Sequence, residues 1–151
     1  MVGHKKIFIF CFIFISIFFI VSCSPKPKVI WENYKSGQLE EAKSARLPTV
    51  IDFYADWCIS CHELENYTYT NTGVIQSLEG FKRVKVDLTK QNDPETMKLA
   101  ERFNIEGLPT IVFLNVDGKE VKEARIEGFV EPQELIKMTQ AVLTSAPPKT
   151  K

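Results

Sequence analysis

Cys58 and Cys61 stand in a C-x-x-C spacing directly after the run Val50-Ile51-Asp52-Phe53-Tyr54-Ala55. An apolar run with a single acid in it reads as a buried strand, so the dithiol falls at a strand-to-helix junction. If a helix starts at Cys58, its free backbone N–H groups and its dipole favour a thiolate there. Cys61 is then one turn further on, on the same face. Two sulfurs so placed can close a short disulfide and reopen it by exchange. The expected chemistry is thiol–disulfide exchange, with Cys58 attacking and Cys61 resolving. Gly107-Leu108-Pro109-Thr110, leading into Ile111-Val112-Phe113-Leu114, is a second signal for the same kind of redox site.

The pair admits other readings. Cys58-Ile59-Ser60-Cys61-His62 also fits C-x-x-C-H, the attachment motif of c-type haem. His62 would then be one axial ligand, with Met97 or Met138 as the other, since His4 falls in the leader. The β-rich run before the motif and the Gly-x-Pro-Thr strand after it argue against haem. A structural zinc site needs four ligands, and the sequence has no second C-x-x-C or H-x-H pair. A soft metal could still bind the dithiol. A purely structural disulfide would staple only a four-residue segment and stabilise the chain little. No cofactor and no resident metal are expected, and His62 reads as an ordinary polar residue of the helix.

Two acids flank the pair. A carboxyl at Asp52 on a covered strand loses hydration, so its pKa should rise, and such an acid can take and return the proton of Cys61. Glu65 lies four residues after Cys61, on the same helix face; a solvated helix acid is the competing reading. Trp57 is expected as an exposed lip beside the dithiol.

The elements that position these residues follow from pattern. Val29 to Tyr34 reads as an edge strand or turn, and Gln38 to Ala45 as a helix between Gly37 and Pro48. Thr49 to Tyr54 is the central strand, with Val50, Asp52 and Tyr54 on one side and Ile51 and Phe53 on the other. Apolar residues on both sides imply cover on both faces. The helix from Cys58 is expected to reach about Tyr67, followed by a polar break over Thr68 to Thr72 and a short helix at Val74 to Leu78. Phe81 to Leu88 alternates Val84, Val86 and Leu88 with charged residues, a strand. Asp93-Pro94-Glu95 opens a helix with Met97, Ala100 and Phe103 as its apolar stripe. Thr110 to Leu114 and Val121 to Ile126 flank Asp117-Gly118, a hairpin signal. Glu131-Pro132 opens a last helix with Leu135, Met138, Val142 and Leu143 inward.

The 151 residues suggest one domain, preceded by a leader. Lys5 and Lys6 come before an apolar run from Ile7 to Val21, which is short for a membrane span and suits a signal-peptide core. The run ends in Ile20-Val21-Ser22-Cys23, which resembles the bacterial lipobox and implies lipidation of Cys23 as the first mature residue. A plain signal peptide or an uncleaved anchor is the alternative. The expected organisation is a leader over 1–22, a lipidated tether over 23–28, a folded domain over 29–145 and a disordered tail over 146–151. Basic and acidic residues balance at 19 each, which makes no case for nucleic-acid binding. Cys11 would be lost with the leader, leaving none for a structural bridge. Export puts the dithiol outside the cytoplasm, where disulfides persist.

Asp52-Phe53-Tyr54-Ala55-Asp56-Trp57-Cys58 and Phe103-Asn104-Ile105-Glu106-Gly107-Leu108-Pro109-Thr110 resemble thioredoxin-like proteins. The segment from Tyr54 to Glu65 is similar, more narrowly, to the C-terminal periplasmic domain of the DsbD thiol:disulfide interchange proteins. The similarity covers about Ile30 to Leu143. It implies an α/β thioredoxin fold, a central mixed β-sheet flanked by helices on both faces. It also implies Cys58 and Cys61 as the redox disulfide, Pro109 as a cis-proline against it, Asp52 as the buried acid below Cys61, and Glu65 as a second acid. Trp57, Leu108 and Pro109 are then the expected substrate-binding residues. DsbD carries an eight-helix membrane domain and an N-terminal domain with no counterpart here, which implies a separate membrane electron donor. Ile59-Ser60 departs from the Gly-Pro of thioredoxin itself and leaves the potential open.

The expectation is thus a lipid-tethered extracytoplasmic thiol–disulfide oxidoreductase, on the periplasmic side in a Gram-negative cell, reducing exported proteins. An oxidase or isomerase is the enzymatic alternative. A binding or metal-delivery lipoprotein is the non-enzymatic one.

Overall fold

Strand β2 (Thr49–Tyr54) is the middle of a five-stranded sheet of order β1-β3-β2-β4-β5. The computed structural model describes residues 26–90 and 92–145. The expected leader, Cys23 and the tail over 146–151 lie outside the described residues. β1 is Glu32–Asn33, β3 Lys82–Asp87, β4 Thr110–Leu114 and β5 Ile126–Glu127. β1 and β2 both pair parallel with β3, while β4 runs antiparallel to β2 and β5 antiparallel to β4.

The two-residue period of the strands sorts the core into two layers. Val50, Ile111 and Phe113 face one side, where Leu64, Val74, Leu78, Leu135 and Val142 cover them. Ile51, Phe53, Val84, Val86 and Val112 face the other side, under Leu39, Leu99 and Phe103. Helices α1 (Gln38–Ser44) and α4 (Pro94–Arg102) thus cover the second face. The first face is covered by α2 (Ile59–Glu63), α3 (Thr72–Ser77) and α5 (Pro132–Ser145). The doubly covered β2 expected from its apolar run is what forms. Local caps set the helix starts: Asp93 accepts from Glu95 N–H with Pro94 next to it, and Asn71 accepts from Gly73 and Val74 N–H.

Four details differ from the sequence expectations. First, α2 does not stop at Tyr67 before a polar break. It widens into a π-helical turn over Leu64–Thr68, closed by Tyr69 N–H on Leu64 C=O. The extra residue per turn carries Thr68 and Tyr69 into the interior, where Thr68 Oγ1 donates to Val130 C=O at 2.6 Å. Second, Val121 to Ile126 is not a continuous strand. Only Glu120 bridges back to Leu114, and Lys122–Ala124 forms a 3₁₀ turn before β5. The turn at Asn115 to Gly118 does form: Gly118, at φ 72°, donates to Asn115 C=O. Third, Leu143 is 48% exposed, and Thr139 takes an inward position on α5. Fourth, Met97 is only half-buried, the stripe of α4 being completed by Leu99.

Candidate active site

Cys58 is the N-cap residue of α2, with extended backbone, and its sulfur accepts from Cys61 N–H at 3.2 Å. The helix start therefore points an unpaired N–H at the first sulfur, as the spacing predicts. Cys58 and Cys61 are joined as a disulfide with their Cα atoms 5.3 Å apart. Both are buried, together with Ala55 and against Leu108 and Tyr54. The Leu108–Pro109 peptide is cis, as the resemblance implied, and Pro109 is buried.

The loop before Cys58 is braced from two sides. Asp56 N–H donates to Thr89 Oγ1 at 2.9 Å, and Trp57 Nε1 donates to Thr89 C=O at 3.3 Å. His62 Nε2 lies 2.7 Å from Asp56 C=O, so it carries the proton of that hydrogen bond. His62 thus ties the helix back to the loop. Trp57 remains 60% exposed, the lip expected, with Ile59 at 78% beside it.

The opposite wall is pinned by Arg125. Its guanidinium donates to Phe103 C=O, Asn104 C=O, Glu120 and Glu127 at 2.9–3.1 Å. This ties the end of α4, and the start of the loop that leads to Pro109, onto the β4–β5 connection. Gly128 N–H donates to Pro109 C=O from a φ of 87°, a conformation that favours glycine.

On β2, the strand that leads to Cys58, Asp52 is buried. Burial lifts its carboxyl above the usual carboxylate range, and the Lys85 ammonium opposes that lift. Lys85 is the residue sequence reasoning missed. It is the register partner of Asp52 across β2 and β3, its Nζ is 3.5 Å from Asp52 Oδ2, and it also pairs with Glu65. Glu65 is therefore not a solvated helix acid. The signal was available: Val84 and Val86 face one covered layer, so Lys85 between them faces the other, where a buried ammonium needs an acid. The same ammonium lies 4.6 Å from the Tyr54 ring centre, 5.7 Å from Tyr69 and 5.8 Å from Trp31. Burial pulls the Lys85 pKa down while Asp52 pulls it up. The Tyr69 hydroxyl is raised well above its ordinary value, first by burial and then by the nearby Asp52 charge.

This arrangement holds a disulfide at a helix start, packs it against Leu108 of the cis Leu108–Pro109 peptide, and buries the Asp52 carboxyl on the strand that leads to it. The profile of the thioredoxin-like domain family matches residues 36–143. The chain belongs to the thioredoxin-like family. Among curated relatives, the thiol:disulfide interchange protein DsbD of Vibrio cholerae is 44% identical over 95 residues, 63% of this chain and 16% of that protein. The DsbD of Haemophilus influenzae (strain PittGG) is 42% identical over 110 residues, 71% of this chain and 19% of that protein. The chain thus spans under a fifth of the length of these relatives. Among solved structures, the reduced C-terminal domain of Neisseria meningitidis DsbD superposes with a TM-score of 0.62 at 29% identity, covering 74% of this chain and 99% of that one. A thioredoxin from Thermus thermophilus gives 0.63 at 26% identity, covering 78% and 88%. Similarity to the DsbD C-terminal domain, expected from the Tyr54–Glu65 segment, is borne out. Among the described residues no helix is long and apolar enough to cross a membrane.

Proposed function

We propose that this chain is a lipid-tethered, extracytoplasmic thiol–disulfide oxidoreductase whose Cys58–Cys61 pair reduces disulfides of exported proteins. The observation that carries the reading is the disulfide itself, capped at the start of α2 and packed against Leu108 of the cis Leu108–Pro109 peptide. In the reduced protein the Cys58 thiolate attacks one sulfur of a partner disulfide. A mixed disulfide forms and the partner's other sulfur leaves as a thiolate. Cys61 gives its proton to the Asp52 carboxylate and attacks Cys58 Sγ. The partner leaves with both sulfurs reduced, and two electrons have passed from this chain to it. A separate membrane donor of two thiols then restores the pair. Trp57, Leu108 and Pro109 form the surface against which the partner's chain lies.

The tether rests on the lipobox-like Ser22-Cys23 after the apolar run. Cys23→Ser is expected to release the protein from membranes with the dithiol chemistry intact, since firm anchoring needs several acyl chains. Retention in the membrane fraction would point to an uncleaved anchor.

One observation favours the opposite electron flow. Lys85 sits between the two acids and offsets their field at Cys58, which favours the thiolate and a more oxidising pair. Equilibration against defined glutathione mixtures decides between them. A potential near that of thioredoxin, about −270 mV, supports the reductase, and one near that of DsbA, about −120 mV, supports an oxidase.

A further inference from the structure

A cavity of about 430 Å³ opens behind the redox pair, with Cys61, His62, Glu65, Tyr54 and Lys85 on its inner side. Its outer wall is the arm Lys28–Trp31, which precedes the family-matched residues 36–143. The arm is seated by specific contacts. Val29 N–H donates to Tyr69 C=O at 2.9 Å, and the Val29 side chain is buried. The Trp31 ring meets Tyr69 edge-on at 5.0 Å and faces the Lys85 ammonium. Trp31 Nε1, Asp52 Oδ1 and the Tyr69 hydroxyl are each buried with no hydrogen-bond partner among the described residues. Trp31 meets Tyr69, and Tyr69 and Asp52 bear on each other, so the arm packs onto the buried polar groups of the site.

We propose that the arm Lys28–Trp31 is a lid over the resolving side of the redox pair, and that Trp31 is a positioning residue that holds Lys85 and Tyr69 against Asp52. The inference rests on the redox reading of Cys58 and Cys61. The arm adjoins the expected tether, so its seating couples the membrane-proximal segment to proton transfer at Cys61. The groups bearing on Asp52 are Lys85 from β3, Tyr54 from its own strand, and Tyr69, while Glu65 meets the same Lys85 ammonium. Lys28 from the arm itself acts on Lys85. Unseating the arm admits water beside these groups and weakens the desolvation of Asp52.

The test compares Trp31→Ala, Trp31→Phe and wild type in the full chain. The Asp52 carboxyl is titrated by carbon NMR in the dithiol state, and the redox equilibrium is measured against glutathione. In Trp31→Ala the Asp52 titration should move down toward the ordinary carboxylate range, with a several-fold change in the glutathione equilibrium constant. Trp31→Phe, which keeps an aromatic wall, should stay close to wild type. If the alanine variant does not fold, Trp31→Leu is read by the same criteria. An unchanged Asp52 titration in the Ala or Leu variant overturns the lid. So does a phenylalanine variant that behaves like alanine. A wild-type protein that fails to exchange with glutathione would instead strike at the redox function, because the Asp52 titration reports on the arm alone.

Discussion

Asp52 and Lys85 face each other across adjacent parallel strands, with the carboxylate oxygen and the ammonium 3.5 Å apart and both side chains nearly closed to solvent. The ammonium also serves Glu65, so one cation is shared by two carboxylates. Removing it leaves a buried carboxylate uncompensated. Lys85→Met should cost about 3–5 kcal/mol of stability, the range for breaking a buried pair from one side. Much of that loss should return in Lys85→Met/Asp52→Leu, where only the part-exposed Glu65 is left without its partner. Denaturant unfolding of the three proteins checks this, and a double variant no better than the single would contradict it.

Asp52 also makes stability depend on pH. Burial raises its folded pKa above the unfolded value, so the fold favours the protonated acid. That contribution is complete below the ordinary carboxylate pKa and is lost as pH rises through the raised folded value. Asp52→Asn should therefore gain on wild type as pH climbs through that window, reaching about 1–3 kcal/mol, the cost scale of a poorly partnered buried polar group. Unfolding of both oxidised proteins across pH 3 to 9 measures it. A difference that does not change with pH would exclude Asp52 as the titrating group.

The proposed exchange gives the two sulfurs distinct tasks. Cys58→Ser should abolish exchange, because Cys58 supplies the attacking thiolate at the helix start. Cys61→Ser should accumulate a mixed disulfide between Cys58 and its partner, visible on a non-reducing gel. Normal turnover by Cys61→Ser would reverse the assignment.

The acids should tune the pair. Neutralising either carboxylate leaves Lys85 less compensated in the cavity that Cys61 also lines, which favours the thiolate. Asp52→Asn and Glu65→Gln should each lower the Cys58 pKa and raise the reduction potential. Asp52→Asn should in addition slow the resolving step if, as proposed, Asp52 accepts the Cys61 proton. Thiolate absorbance against pH reads the first effect. Wild-type titration in both variants would remove the acids from the redox chemistry.

The frame of this site was legible in the sequence where one residue carries one local meaning. The β2 run, the C-x-x-C at its end, Asp93-Pro94 and the Gly-Leu-Pro-Thr strand each announced their element and its place. Legibility failed where the meaning depends on what lies opposite. Lys85 looks like one charge among several on an alternating strand until β3 is placed beside β2. Tyr69 looks like part of a polar break until the π turn adds a residue and rotates it inward. Leu143 looks like core by helical spacing, but the side of α5 that carries it turns to solvent. The Asp117-Gly118 turn was clear, yet the 3₁₀ turn after it arises from how Ala124 packs into the core, which the strand-like composition concealed.

The four hydrogen bonds of Arg125 mean that the cleft around the sulfurs has two independently mounted jaws. One jaw, bearing Cys58 and Trp57, is fastened to Thr89 and His62. The other, bearing Pro109, is held to the β4–β5 connection by that guanidinium and to the end of β5 by Gly128 N–H on Pro109 C=O. The placement of the second jaw thus depends in part on a side chain that is not among those packed around the sulfurs. A chain of this fold could change which partners it admits by altering that one anchor, while its electron chemistry stayed as it was.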